Sequence, residues 1–207
     1  MNGNNADLLR DITGLGDSIV LLSLSSVLSI YFWALGYRRE PLALMLGFFT
    51  PAAIIGTLKI AFYICHTNLW GIVSPSGHAA ISIGVLGLSA LILARICTGV
   101  LRAIIPILLV VLALVIAISR SILGMHTDGD VVIGSLIGFC VVIAVAKTIL
   151  SYRIKTETDE TAKKVNPVMI CGLMIVVVSV FYGIKLPSEK VMASFAKEIR
   201  LNLPLCH

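Results

Sequence analysis

About six apolar runs, each close to the length needed to cross a bilayer, dominate this sequence. They fall near residues 17–36, 42–64, 78–95, 102–119, 131–150 and 168–184. A helix crosses about 30 Å of hydrocarbon in roughly 20 residues. Backbone polar groups find no water there, so such runs fold as helices. With 58% hydrophobic and only 13% charged residues, the chain has too little polar surface for a soluble domain of 207 residues. The expectation is an all-α polytopic membrane helical bundle of about six transmembrane helices, a single domain over 1–207.

The interruptions between runs have physical causes. "GYRREP" carries two arginines and a proline, and "RICTGVLR" is polar at both ends. "SYRIKTETDETAKKVNP" is too charged to be buried, and its Pro167 suits the first turn of the next helix. Basic residues concentrate on one side of the predicted membrane: Arg38, Arg39, Arg95, Arg102, Lys147, Arg153, Lys155, Lys163 and Lys164. The positive-inside rule makes that side cytoplasmic and turns the 65–77 and 120–130 loops outward. The short acidic N-terminal tail, with Asp7, Asp11 and Asp17 against Arg10, is expected outside, with no cleavable signal peptide. The basic C-terminal tail argues mildly the other way.

The tail segment 188–203 reads as an interfacial helix capped by Ser188, with Val191, Met192, Phe195 and Ile199 on one face. Cys97, Cys140 and Cys171 lie in or beside apolar runs and read as small packing residues. Cys65 and Cys206 could both sit outside the bilayer, where a disulfide is conceivable. The net charge of +5 fits loops facing an anionic leaflet. Without a basic patch interleaved with aromatics, nucleic-acid binding is not expected.

Residues that chemistry could use gather at one predicted level. Lys59 nears the outer end of the second run, and His66 follows in the loop. "SPSGHA" supplies Ser76, Gly77 and His78, and "SRSILGMHTDGD" supplies Arg120, His126 and Asp130. Ionisable groups at a bilayer boundary are costly and are retained for function. Read physically, the set suits a phosphate. Lys59 (otherwise a snorkelling lysine) and Arg120 bring positive charge. Ser76 and Gly77 open a helix whose N–H groups favour an anion. Asp130, four residues after His126, can fix that ring's tautomer and leave its other nitrogen as nucleophile. His78 can then protonate the leaving oxygen. Asp128 reads as a solvated loop carboxylate. This chemistry calls for no metal or other cofactor, and no metal-ligand spacing is present.

"PSGH" (75–78) and the Ser119, Arg120, His126, Asp130 spacing resemble the second and third motifs of the type 2 phosphatidic acid phosphatase (PAP2) superfamily. The resemblance covers about residues 50–140. It implies a helical core, a phosphohistidine on His126, His78 as acid/base and Asp130 orienting His126. It also implies phosphate binding by Ser76, Gly77 and Arg120. The first motif, lysine, six residues, then arginine-proline, is met by Lys59, but His66 and Thr67 stand at the last two positions. The implied function is a metal-independent membrane lipid phosphatase. Its substrate would be a lipid phosphate or diphosphate of the prenyl, phosphatidylglycerol phosphate, phosphatidic acid or lipid A kind. The expected setting is the outer face of a bacterial inner membrane. A lipid phosphotransferase using the same core is the alternative.

Overall fold

A computed structural model describes residues 3–65, 74–150, 165–184, 191–192, 194 and 197–199. The named elements are α1 (Gly3–Gly14), α2 (Ser18–Ala34), α3 (Arg39–Cys65), α4 (Gly77–Ile96), α5 (Leu101–Ile122), α6 (Asp128–Val145) and α7 (Pro167–Phe181). A π-helical turn, Ala146–Leu150, continues α6. The fold is all helical, as the apolar runs require.

Each expected run is a helix, but not each is a span. Four are long and apolar enough to cross a membrane: Arg39–Cys65, Gly77–Ile96, Leu101–Ile122 and Asp128–Ile149. A fifth arises if Asp7–Gly14 and Ser18–Ala34, bent by 43°, count as one. The α7 helix has 15 residues and so reaches only about 22 Å, short of the hydrocarbon thickness. Its start is as expected, with Pro167 in the first turn and the Asn166 side chain accepting from Val168 N–H at 3.0 Å.

The N-terminal tail, expected on the outer side, forms helix α1 packed on α5. Leu9, Ile12 and Thr13 share its less exposed face, at helical spacing, and Gly16 is buried in the turn that follows. Thr13 and Ser119 are hydrogen-bonded in the buried α1–α5 seam, and the Ser119 hydroxyl donates onward to the Ile116 carbonyl at 2.8 Å.

Helix α4 lies at the centre, with 67% of its apolar window buried against 28–39% for the other three long helices. Its Val85, Leu86, Leu88, Ile92 and Leu93 join Leu21, Leu28, Phe32, Leu44, Ile116 and Ile170 in one hydrophobic cluster spanning α2 to α7. Small residues bring the helices close: a Cβ on Gly84 of α4 would stand 2.3 Å from the Gly47 carbonyl oxygen of α3.

The described basic residues of the predicted cytoplasmic side fall at one end of the bundle. Arg38 and Arg39 stand where α2 gives way to α3, Arg95 in the last turn of α4, Arg102 near the start of α5 and Lys147 after α6. Arg153, Lys155, Lys163 and Lys164 lie outside the described residues, as do Ser188 and most of the expected interfacial tail. Cys65 is disulfide-bonded; Cys206, its conceivable partner, lies outside the described residues. Of the three cysteines expected to pack, only Cys97 is buried; Cys140 and Cys171 are exposed on the outer faces of α6 and α7.

Candidate active site

At the other end of the bundle, α3 and α5 finish while α4 and α6 begin. Two helix N-termini therefore contribute their positive ends to the same region. Helix α6 opens with a reciprocal cap. Asp130 N–H donates to the Thr127 hydroxyl at 3.2 Å, and Thr127 N–H donates to Asp130 Oδ2 at 3.2 Å. The other oxygen, Oδ1, accepts from Ser74 N–H at 2.8 Å. Ser76 N–H donates to the Asp130 carbonyl at 3.0 Å, so both segments that carry the motifs are joined at Asp130. No side chain intervenes at this joint: a Cβ on Gly134 would lie 2.4 Å from the Ser76 carbonyl oxygen.

The turn from α5 to α6 places His126. The Arg120 carbonyl accepts from Met125 N–H at 3.0 Å and from His126 N–H at 3.3 Å. Gly124 makes the reversal at φ 64°, a conformation that side chains disfavour. His126 Nδ1 then stands 3.6 Å from Asp130 Oδ2, with both side chains buried. That separation is beyond ordinary hydrogen-bond length, and such contacts tighten when substrate arrives. It is Nδ1 of the ring that faces Asp130.

A cavity of about 600 Å³ adjoins this pair, lined by Tyr63, Ser74, Arg120, Gly124, Met125, His126, Thr127 and Asp130. Three expected residues, Arg120, His126 and Asp130, thus meet in one space. Lys59 is 3% exposed on α3, one turn before Tyr63, and does not line the cavity. Gly77 starts α4 against Ile55 of α3. The Ser76 hydroxyl, expected to meet phosphate, is fully buried and instead caps α4 by accepting from Ala79 N–H at 3.5 Å. A helix start needs that acceptor, so Ser76 here shapes the anion-favouring end and does not line the cavity. His66 lies outside the described residues. Asp128 is exposed and accepts from the Ser121 hydroxyl, as a loop carboxylate would.

His78, in the first turn of α4, does not line the cavity and has a partner that sequence reasoning missed. Its Nε2 lies 2.8 Å from Asp17 Oδ1, across 61 residues of sequence. The available signal was an acidic residue directly before an apolar run on the predicted outer face. Tyr63 and Ser74, which line the cavity, were also missed; neither residue type at its position distinguishes itself from an ordinary helix or loop residue.

The cavity lies at one end of a bundle with four helices long and apolar enough to cross a membrane, the architecture of an integral membrane protein. The model of the PAP2 superfamily matches residues 57–154. That segment, which holds all the candidate residues except Asp17, is similar to the PAP2 superfamily, a likeness that suggests phosphatase or phosphoryl-transfer chemistry. No curated protein and no solved structure matches the chain.

Proposed function

We propose that the protein is a lipid phosphatase of the membrane, acting on a lipid phosphate or diphosphate through a phosphohistidine. The observation that carries this reading is the buried His126–Asp130 pair beside Arg120 in one cavity at the bundle end. The lone pair of His126 Nε2 attacks phosphorus, a P–N bond forms, and the P–O bond to the lipid breaks. The leaving oxygen takes a proton from His78. Arg120 and the two helix N-termini stabilise charge on the equatorial oxygens, and Lys59 adds positive charge from α3. Water then attacks phosphorus and gives a proton to His78; the P–N bond breaks and its electron pair returns to His126.

The substrate class is a prenyl diphosphate, phosphatidylglycerol phosphate, phosphatidic acid or lipid A phosphate. The exposed apolar faces of α5 and α6, including Ile107, Leu108, Leu136 and Phe139, suit lipid on either side of the site. The positive-inside pattern supports a site on the outer face, and the short loops and compact size favour the inner membrane of a bacterium. Metal is not needed for this chemistry. One observation favours a second reading, transfer of the phosphoryl or headgroup to a lipid acceptor. His66 and Thr67 stand where the first motif has arginine and proline, and histidine offers phosphate fewer donors than arginine.

The test is phosphate release by detergent-purified protein from that lipid panel, with chelator present, beside His126→Ala. Release by the wild type, with an acid-labile phosphoryl label that His126→Ala lacks, is the expected result. Turnover by His126→Ala within a few-fold of wild type would sink the mechanism. Release appearing only with an added lipid alcohol would favour the transferase.

A further inference from the structure

Asp17 sits at the N-cap of α2, where an aspartate ordinarily accepts from N–H groups of its own helix. Here the side chain makes no cap hydrogen bond. It reaches instead to His78 Nε2, and both side chains are mostly buried, at 18% and 25% exposure. The turn that carries Asp17 is fixed from both sides. Thr13 is bonded to Ser119, next to Arg120, and a Cβ on Gly16 would lie 2.5 Å from the Ile116 side chain of α5. The aspartate is thus delivered by a packed elbow that lies outside the family segment.

We propose that Asp17 is a positioning residue for His78. Its carboxylate holds Nε2–H, so the ring presents Nδ1 to the leaving oxygen and the Asp17 charge stabilises the imidazolium that donates the proton. The site is then built of two histidine–carboxylate pairs, His126–Asp130 for attack and His78–Asp17 for departure. The assignment rests on the reading of His78 as the acid.

A proton donor matters in proportion to the basicity of the leaving group. Dodecyl phosphate releases a strongly basic alkoxide, whereas p-nitrophenyl phosphate releases a stable phenolate that needs no proton. Asp17→Ala should lower kcat/KM, which reports steps up to departure of the leaving group, by about 10–100-fold on dodecyl phosphate but by under about threefold on p-nitrophenyl phosphate; kcat also contains the shared hydrolysis in which His78 takes a proton from water. Asp17→Glu should recover part of the loss. Asp11→Ala, in the neighbouring helix α1 and bonded to Tyr182, should behave as wild type on both. In 15N-histidine-labelled protein, an exchange-protected Nε2–H signal should vanish in both Asp17→Ala and His78→Gln.

Equal losses of kcat/KM on the two substrates, no loss of kcat/KM on either, or persistence of the protected signal in Asp17→Ala would overturn the assignment while a dead His126→Ala left the phosphohistidine intact. If the wild type turned over neither substrate, or His126→Ala matched it, the phosphohistidine reading would fall and this assignment with it.

Discussion

Gly134 passes Ser76 so closely that a Cβ on the glycine would lie 2.4 Å from the serine carbonyl oxygen. The contact is backbone against helix, so no side chain can swing away. It brings the start of α4 onto the first turns of α6, where Ser76 N–H meets the Asp130 carbonyl.

Gly134→Ala should therefore cost about 1–3 kcal/mol and also lower turnover, because α4 and α6 must part at the site. Gly84→Ala makes a useful contrast. Its Cβ would meet the Gly47 carbonyl at 2.3 Å, in the middle of the bundle. It should lower thermal stability similarly while leaving activity per folded molecule close to wild type. Thermal unfolding in detergent and specific activity, measured together, separate the two.

Asp130 has two duties that a pair of substitutions can divide. One oxygen holds Ser74 N–H, and the other faces both the Thr127 N–H and His126. Asp130→Asn keeps one acceptor, enough for Ser74 N–H or Thr127 N–H but not both, and removes the charge beside the imidazole. It should lower kcat by about 10²–10⁴-fold with a smaller loss of stability than Asp130→Ala. Asp130→Ala should lose as much activity and stability as well, since Ser74 N–H is left without its carboxylate.

The Thr13–Ser119 bond ties α1 to the helix that ends in Arg120. Because the Ser119 hydroxyl donates to Ile116, Thr13 supplies the proton between the two. A double-mutant cycle of Thr13→Val and Ser119→Ala should give a coupling of about 1 kcal/mol in unfolding free energy. Full additivity would mean that α1 is not held through this bond.

Alkaline pH should weaken a contact between the far ends of the chain. Just beyond α7, the Tyr182 hydroxyl donates to Asp11 Oδ1 at 2.8 Å. That bond, then burial and the charges of Asp11 and Asp17, raises the Tyr182 phenol above its ordinary value of 10.0. The phenol donates only while protonated. Its contribution is thus full below pH about 10 and is lost as pH rises through the raised value. Tyr182→Phe should melt slightly below wild type at pH 8, and the gap should close in strongly alkaline buffer.

Much of this protein is legible in one dimension. Backbone satisfaction in an apolar solvent leaves helices as the fold of long apolar runs, and all six expected runs are helical. Arg120, His126 and Asp130 lie within eleven residues, so a single turn between helices is enough to bring them together, and their spacing announced it. The π-helical turn after α6 and the shortness of α7 carried no such signal, because length and hydropathy alone do not say where a helix stops packing.

What only the tertiary structure decided is how the distant pieces meet. The capping duty of the Ser76 hydroxyl depends on α4 starting against α6. The pairing of Asp17 with His78 joins residues 61 apart and requires the first helix to fold back on α5. A lone aspartate before an apolar run is chemically indistinguishable from an ordinary helix cap. Sequence determines which groups are available and which surfaces must be buried; the burial of α1 and the turn after it, through Leu9, Ile12, Thr13 and Gly16, chooses the histidine that the aspartate reaches.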